Sequence, residues 1–95
     1  MMFRLAKLTL TVKISGVFSL KEKRSIINRI KTFIISANNT CVAESHHQDS
    51  LDYIGLTIGI LASKNDYLQS IASKYIEEIE VISEGFVEKK QMESI

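Results

Sequence analysis

Period-two apolar alternation in several stretches, with two amphipathic helical stretches set between them and no linker, predicts an α+β domain. The element order is β-α-β-β-α-β. In a chain of 95 residues that order fits the ferredoxin-like split βαβ, an antiparallel sheet carrying two helices on one face. Right-handed crossovers then set the strand order at 4-1-3-2. One domain, residues 1–95, accounts for the length and buries about two-thirds of the surface that the unfolded chain exposes.

From Phe3 to Ile14 the apolar residues Ala6, Leu8, Leu10, Val12 and Ile14 alternate with Lys7, Thr9, Thr11 and Lys13. This is the pattern of a strand with one solvated face. Ser15-Gly16 ends it, with Gly16 supplying the freedom to turn. A helix follows from Ser19 to Ala37. Ser19 is its N-cap, and Glu22 three residues on completes a capping box. Leu20, Ile26, Ile27, Ile30, Phe33, Ile34 and Ala37 form the apolar arc; Lys21, Arg24, Asn28 and Lys31 form a solvent-facing one. Arg29 points away from that group. Lys23 borders the apolar arc, where its stem packs while its amine reaches water. Asn38-Asn39 offers a left-handed stop.

Thr40 to His46 reads as a short strand with either face inward, and His47–Ser50 as a polar turn. Asp52 to Ala62 alternates again, with Ile54, Leu56, Ile58, Ile60 and Ala62 inward. Ser63 with Asp66 caps a second helix, whose buried side comprises Tyr67, Leu68, Ile71, Ala72, Tyr75, Ile76 and Ile79. A last strand spans Val81 to Glu88, and residues 89–95 form a polar tail that frays.

Composition narrows the function classes. The chain is 45% hydrophobic and 24% charged, within the ordinary range for globular proteins. No apolar run is long enough to span a membrane, and charge interrupts the N-terminus too often for a signal peptide. A lone Cys41 cannot close an internal disulfide, which fits a reducing compartment such as the cytoplasm. Charge is unevenly distributed. Residues 1–31 hold eight bases and one acid, residues 32–95 four bases and ten acids. Such a split marks a basic surface with an anionic partner, unless the two halves neutralise each other on folding.

The run Ser19-Leu20-Lys21-Glu22-Lys23-Arg24-Ser25, followed by Val42-Ala43-Glu44 and Gln48-Asp49, resembles the YlxP-like family of small bacterial proteins of unknown function. The resemblance extends over nearly the whole chain. It implies a ferredoxin-like fold and a cytoplasmic protein, and no established activity. Where that family continues into a Gln-Arg/Lys-Ala segment, this chain has Ser50-Leu51-Asp52-Tyr53-Ile54.

Four groups of residues invite a chemical reading. Lys21, Lys23, Arg24 and Lys31 make the start and exposed side of the first helix basic, a surface suited to RNA or a ribonucleoprotein gripped through its phosphates. The competing reading pairs these cations with Glu77, Glu78, Glu80 and Glu84, which the topology brings to the same end, or with Glu44. The open sheet face carries Lys7, Lys13 and Tyr53 among threonines and glycines. One aromatic is too few for base stacking, whereas a small Thr-rich face suits a second copy, so a homodimer is the alternative. His46, His47 and Glu44 do not form a metal site, because neighbouring histidines on extended backbone point to opposite faces. Cys41 reads as a small buried hydrophobe in preference to a reactive thiol. No catalytic constellation and no cofactor motif is present.

Overall fold

The computed structural model describes residues 4–36, 39–62 and 65–94, with the side chains of Arg4, Asn65, Asp66 and Tyr67 left out of the description. Six elements follow in order: β1 (Arg4–Lys13), α1 (Leu20–Ile35), β2 (Thr40–His46), β3 (Tyr53–Ala62), α2 (Asn65–Ser83) and β4 (Phe86–Ser94). The four strands form one antiparallel sheet in the order β2-β3-β1-β4. Read from the other edge this is 4-1-3-2, the ferredoxin-like arrangement.

Alternation determines which side of the sheet is covered. Leu8, Leu10 and Val12 of β1 and Ile54, Leu56, Ile58 and Ile60 of β3 are buried against Ile27, Ile30 and Ile34 of α1 and Leu68, Ala72, Tyr75 and Ile79 of α2. Phe33 and Tyr75 meet edge to face across the two helices, with ring centroids 6.1 Å apart. Among the described residues no helix covers the opposite side of the sheet, the open face.

Local signals set several boundaries. The Ser19 Oγ accepts a hydrogen bond from Glu22 N at 3.2 Å, and Glu22 Oε2 accepts one from Phe18 N at 2.6 Å. The carboxylate therefore reaches back one residue beyond the cap, to the amide before the one that a capping box serves. Gly16 turns with φ +75°, and Asn39 has a left-handed φ of 66° just before β2. The expected Ser63–Asp66 cap, and the expectations for Ala37, Asn38 and Tyr67, lie outside the described residues.

The C-terminal third departs from expectation. Val81–Ser83 belong to α2, and β4 starts only at Phe86. Glu84, at a left-handed φ of 54°, turns the chain out of the helix. The Ser83 hydroxyl donates to Ile79 O at 2.7 Å and accepts from Gly85 N at 3.1 Å, closing the helix end. Residues 89–94 are no fraying tail. They complete an edge strand paired along β1 from Lys89 opposite Thr11 to Ser94 opposite Ala6.

Two register shifts re-aim side chains. One lies between Glu44 and His46 in β2, the other between Thr11 and Val12 where β1 meets β4. A bulge inserts one residue and reverses the facing of those beyond it. Val42 and Glu44, opposite the core residues Ile58 and Leu56, therefore turn toward the helices. His46, past the shift, lies opposite Gly55 on the open face. Cys41 is exposed on that face, not buried, with its Sγ 3.9 Å from Gly59 O.

Candidate nucleic-acid interface

Lys23 is the first basic residue to separate from its neighbours. It is 1% exposed, among the most buried side chains of the protein. Its Nζ donates to His47 O at 2.6 Å and to Ser50 O at 2.7 Å, and lies 3.4 Å from Glu44 Oε2. The amine does not reach water, as its place beside the apolar arc suggested, because the β2–β3 turn folds over it. An ammonium has three protons to give, and this pocket offers three oxygens. Glu44 Oε2 is buried and accepts no hydrogen bond; at 3.4 Å its contact with Lys23 is a charge pair longer than a good ammonium–carboxylate hydrogen bond. Lys23 is therefore a clasp between α1 and the turn, and is removed from the set of surface cations.

The remaining bases of α1 stay outside. Lys21, Arg24 and Arg29 are exposed and Lys31 is half-buried. Lys21, Arg24, Ser25, Asn28, Arg29 and Thr32 line one shallow groove of about 560 Å³ along the helix. Arg29 thus joins the group from which its helical position had separated it. Lys31, two turns beyond Arg24, prolongs the stripe. Among the described residues none of these four cations forms an ion pair; the salt bridges are Lys23–Glu44 and, on the open face, Lys7–Glu93 at 3.9 Å. The acids at the end of α2 do not cap them. Glu80 accepts from Val87 N at 3.0 Å, while Glu84 lines the cleft between the helices that Arg29 also borders, without pairing to it.

The open face holds a second assembly. Thr57 Oγ1 donates to Ser45 Oγ at 2.7 Å; Ser45 Oγ lies 2.9 Å from His46 Nδ1, and Thr11 Oγ1 lies 3.0 Å from His46 Nε2. A neutral imidazole satisfies this chain, accepting at Nδ1 and donating at Nε2. Desolvation, with a smaller contribution from the charge of His47, lowers the His46 pKa below the usual histidine value. Thr11, expected in solvent, is buried beneath this ring. His46 lies directly over Gly55, where any Cβ would collide with its carbonyl oxygen and ring. The ring of His47 follows at 5.2 Å from His46 and 5.1 Å from Tyr53, tilted 30° from the latter. Among the described residues no group of three or more His, Cys, Asp or Glu side chains converges on a metal-sized point.

A family model described as "Protein of unknown function (DUF503)" matches residues 5–90. The chain belongs to the DUF503 family. The match covers every element of this DUF503 domain except the first residue of β1 and the last four of β4. No curated protein matches the sequence. Among solved structures, the De novo designed protein Foldit4 is similar with a TM-score of 0.50 and 11% identity, over 99% of this chain and 94% of its own. The protein At3g17210 from Arabidopsis thaliana is similar with a TM-score of 0.53 and 14% identity, over 96% and 92%. At such identities the likeness is one of fold alone. No described helix is long and apolar enough to cross a membrane.

Sequence reasoning reaches Lys21, Arg24, Lys31 and Glu44 but misses Phe86. It lies opposite Lys13 at the start of β4 and is 64% exposed. Its signal is hidden in the sequence, where the helical pattern reads as ending before Val81.

Proposed function

We propose that this DUF503 protein is a cytoplasmic, non-enzymatic binding module that holds RNA, or an RNA–protein assembly, through the exposed side of α1. The Ser19–Ser25 block further aligns it with the YlxP-like proteins. The observation carrying the reading is the stripe of Lys21, Arg24, Arg29 and Lys31, none of which forms an ion pair with a described carboxylate. Cations so placed hold phosphates by charge and release counterions, so affinity falls steeply with salt and depends little on sequence. Each phosphate no longer held by a cation lowers the slope of log K against log salt by about 0.7 for a single strand. The Arg24→Ala/Lys31→Ala variant should therefore bind single-stranded RNA more weakly, with a slope shallower by about 1.4. Equal affinity and equal slope in filter binding or fluorescence anisotropy would refute the proposal.

A structural or regulatory homodimer, recognising a protein or a small anion, is a second reading with one observation in its favour. At the end of the open face away from the β2–β3 turn, Leu5 and Leu61 are exposed opposite one another, and Leu5 adjoins Cys41, Ala43 and Gly59 in an apolar hollow. Sedimentation across a range of concentrations tests it: a mass that doubles, with no RNA retained, favours the dimer.

A further inference from the structure

We propose that the open face stacks bases of single-stranded RNA on Phe86 and Tyr53, with Lys13 between them on the phosphate. The proposal rests on the reading that the partner is RNA, and adds that the strand is single and that its bases are touched.

Register places these residues. Lys13 lies opposite Tyr53 on one side and opposite Phe86 on the other. Their chain neighbours Val12, Ile54 and Val87 turn to the core, so all three project from the open face. Adjacent strands are about 4.8 Å apart, which sets the two aromatic positions about 10 Å apart with a cation midway. The His47 ring packs against that of Tyr53 and restrains it. Phe86 has no ring partner among the described residues, and an exposed phenyl at the tip of an edge strand contributes nothing to the core. In the next row Lys89 lies opposite Thr11, and among the described residues neither Lys13 nor Lys89 forms an ion pair. Aromatic faces with unpaired cations interleaved are what a single strand requires, since every base has a π-face and every step a charge.

The location connects this surface to α1. Only residues 14–19 separate Lys13 from the first turn of α1, and Phe18 in that link is 84% exposed. A second copy of the chain gains less from this end of the face, where Lys13 would oppose its own image under two-fold symmetry; the apolar hollow lies at the other end.

The experiment compares an unstructured oligouridine, the same backbone with abasic sites, and an RNA duplex, each titrated against the native protein, Phe86→Ala, Phe86→Trp and Arg24→Ala/Arg29→Ala. Native protein should prefer oligouridine to the abasic strand and the duplex. Phe86→Ala should lose about 5-fold to 160-fold on oligouridine, the range for one stacked base, with little change on the other two, and Phe86→Trp should restore it. Arg24→Ala/Arg29→Ala should weaken all three together. Should Phe86→Ala bind oligouridine as the native protein does while the arginine variant weakens, the stacking surface is refuted and the α1 reading stands. Absence of binding to all three by the native protein refutes both. A native dimer that Phe86→Ala converts to monomer gives this surface to a second copy and overturns the proposal.

Discussion

Replacing Lys23 with Met keeps most of the stem's volume and removes the charge. Three groups then go without their partner: the His47 and Ser50 carbonyls and the Glu44 carboxylate. Breaking a fully buried pair from one side costs about 3–5 kcal/mol. The Glu44 side chain keeps 21% exposure, and His47 is exposed, so water recovers part of the loss. The expected cost is therefore near the lower end, about 3 kcal/mol. For a domain of this size that corresponds to a Tm lower by about 12–24 °C. Urea unfolding followed by far-UV circular dichroism measures it, and Glu44→Leu alone and with Lys23→Met completes a cycle. The double variant should lose less than the two single losses combined, with a coupling of about 1–3 kcal/mol, because it strands neither charge. Salt offers a second check: a largely buried pair is screened less than a surface one, so most of the coupling should persist in 1 M NaCl, where the Debye length is about 3 Å. A Lys23→Met protein within about 0.5 kcal/mol of the native one, the scatter of ordinary surface substitutions, with an unchanged urea slope, would refute the clasp.

Two further outcomes concern the open face. Gly55→Ala drives a methyl into the His46 backbone and ring. It should cost about 1–3 kcal/mol by overpacking and shift the His46 ring resonances in NMR; native stability with native shifts would contradict the stated contact. His46 has a lowered pKa in the folded state, so between that value and the unfolded value of about 6.5 the unfolded chain binds the extra proton. Its contribution is fully present above about pH 6.5 and is lost as pH falls through the window below. Stability should therefore rise with pH across that window, more shallowly in His46→Asn, and identical pH profiles for the two proteins would rule this out.

Most of the fold was legible because period and caps agree over β1, α1 and β3. The same rules failed at β4 for a physical reason. The bulge at residues 11 and 12 places Val87 and Met92, both packed on the core, an odd number of positions apart, so no period-two signal survives. The true end of α2 was masked as well, because Val81 and Ile82, both β-branched, read as the opening of a strand. The β2 bulge had a like effect, hiding from sequence that His46 turns to the open face while Glu44 turns to the helices. In the site, charge counting found the basic helix, but a helical wheel cannot show what lies above a residue. The wheel sets Lys23 beside the apolar arc and Arg24 in the solvent-facing one, but only the turn arriving from residues 47–50 takes the Lys23 amine out of water.

That turn also links the two surfaces proposed for RNA. Lys23 holds the His47 and Ser50 carbonyls from the helix side, and the Ser50 hydroxyl accepts from Asp52 N and Tyr53 N at 3.0 and 3.1 Å. The position of His47, and with it the restraint on Tyr53, is thus set by a side chain of α1. Burying one lysine of the basic cluster removes a cation from the helix surface and converts it into a brace for the sheet surface. A cluster used only for attracting phosphate would keep Lys23 in water, where its charge is fully expressed. Its burial instead ties α1 to the turn that leads into Tyr53. Lys23→Met should accordingly disturb stacking on Tyr53 while leaving the salt dependence contributed by Arg24 and Lys31 intact.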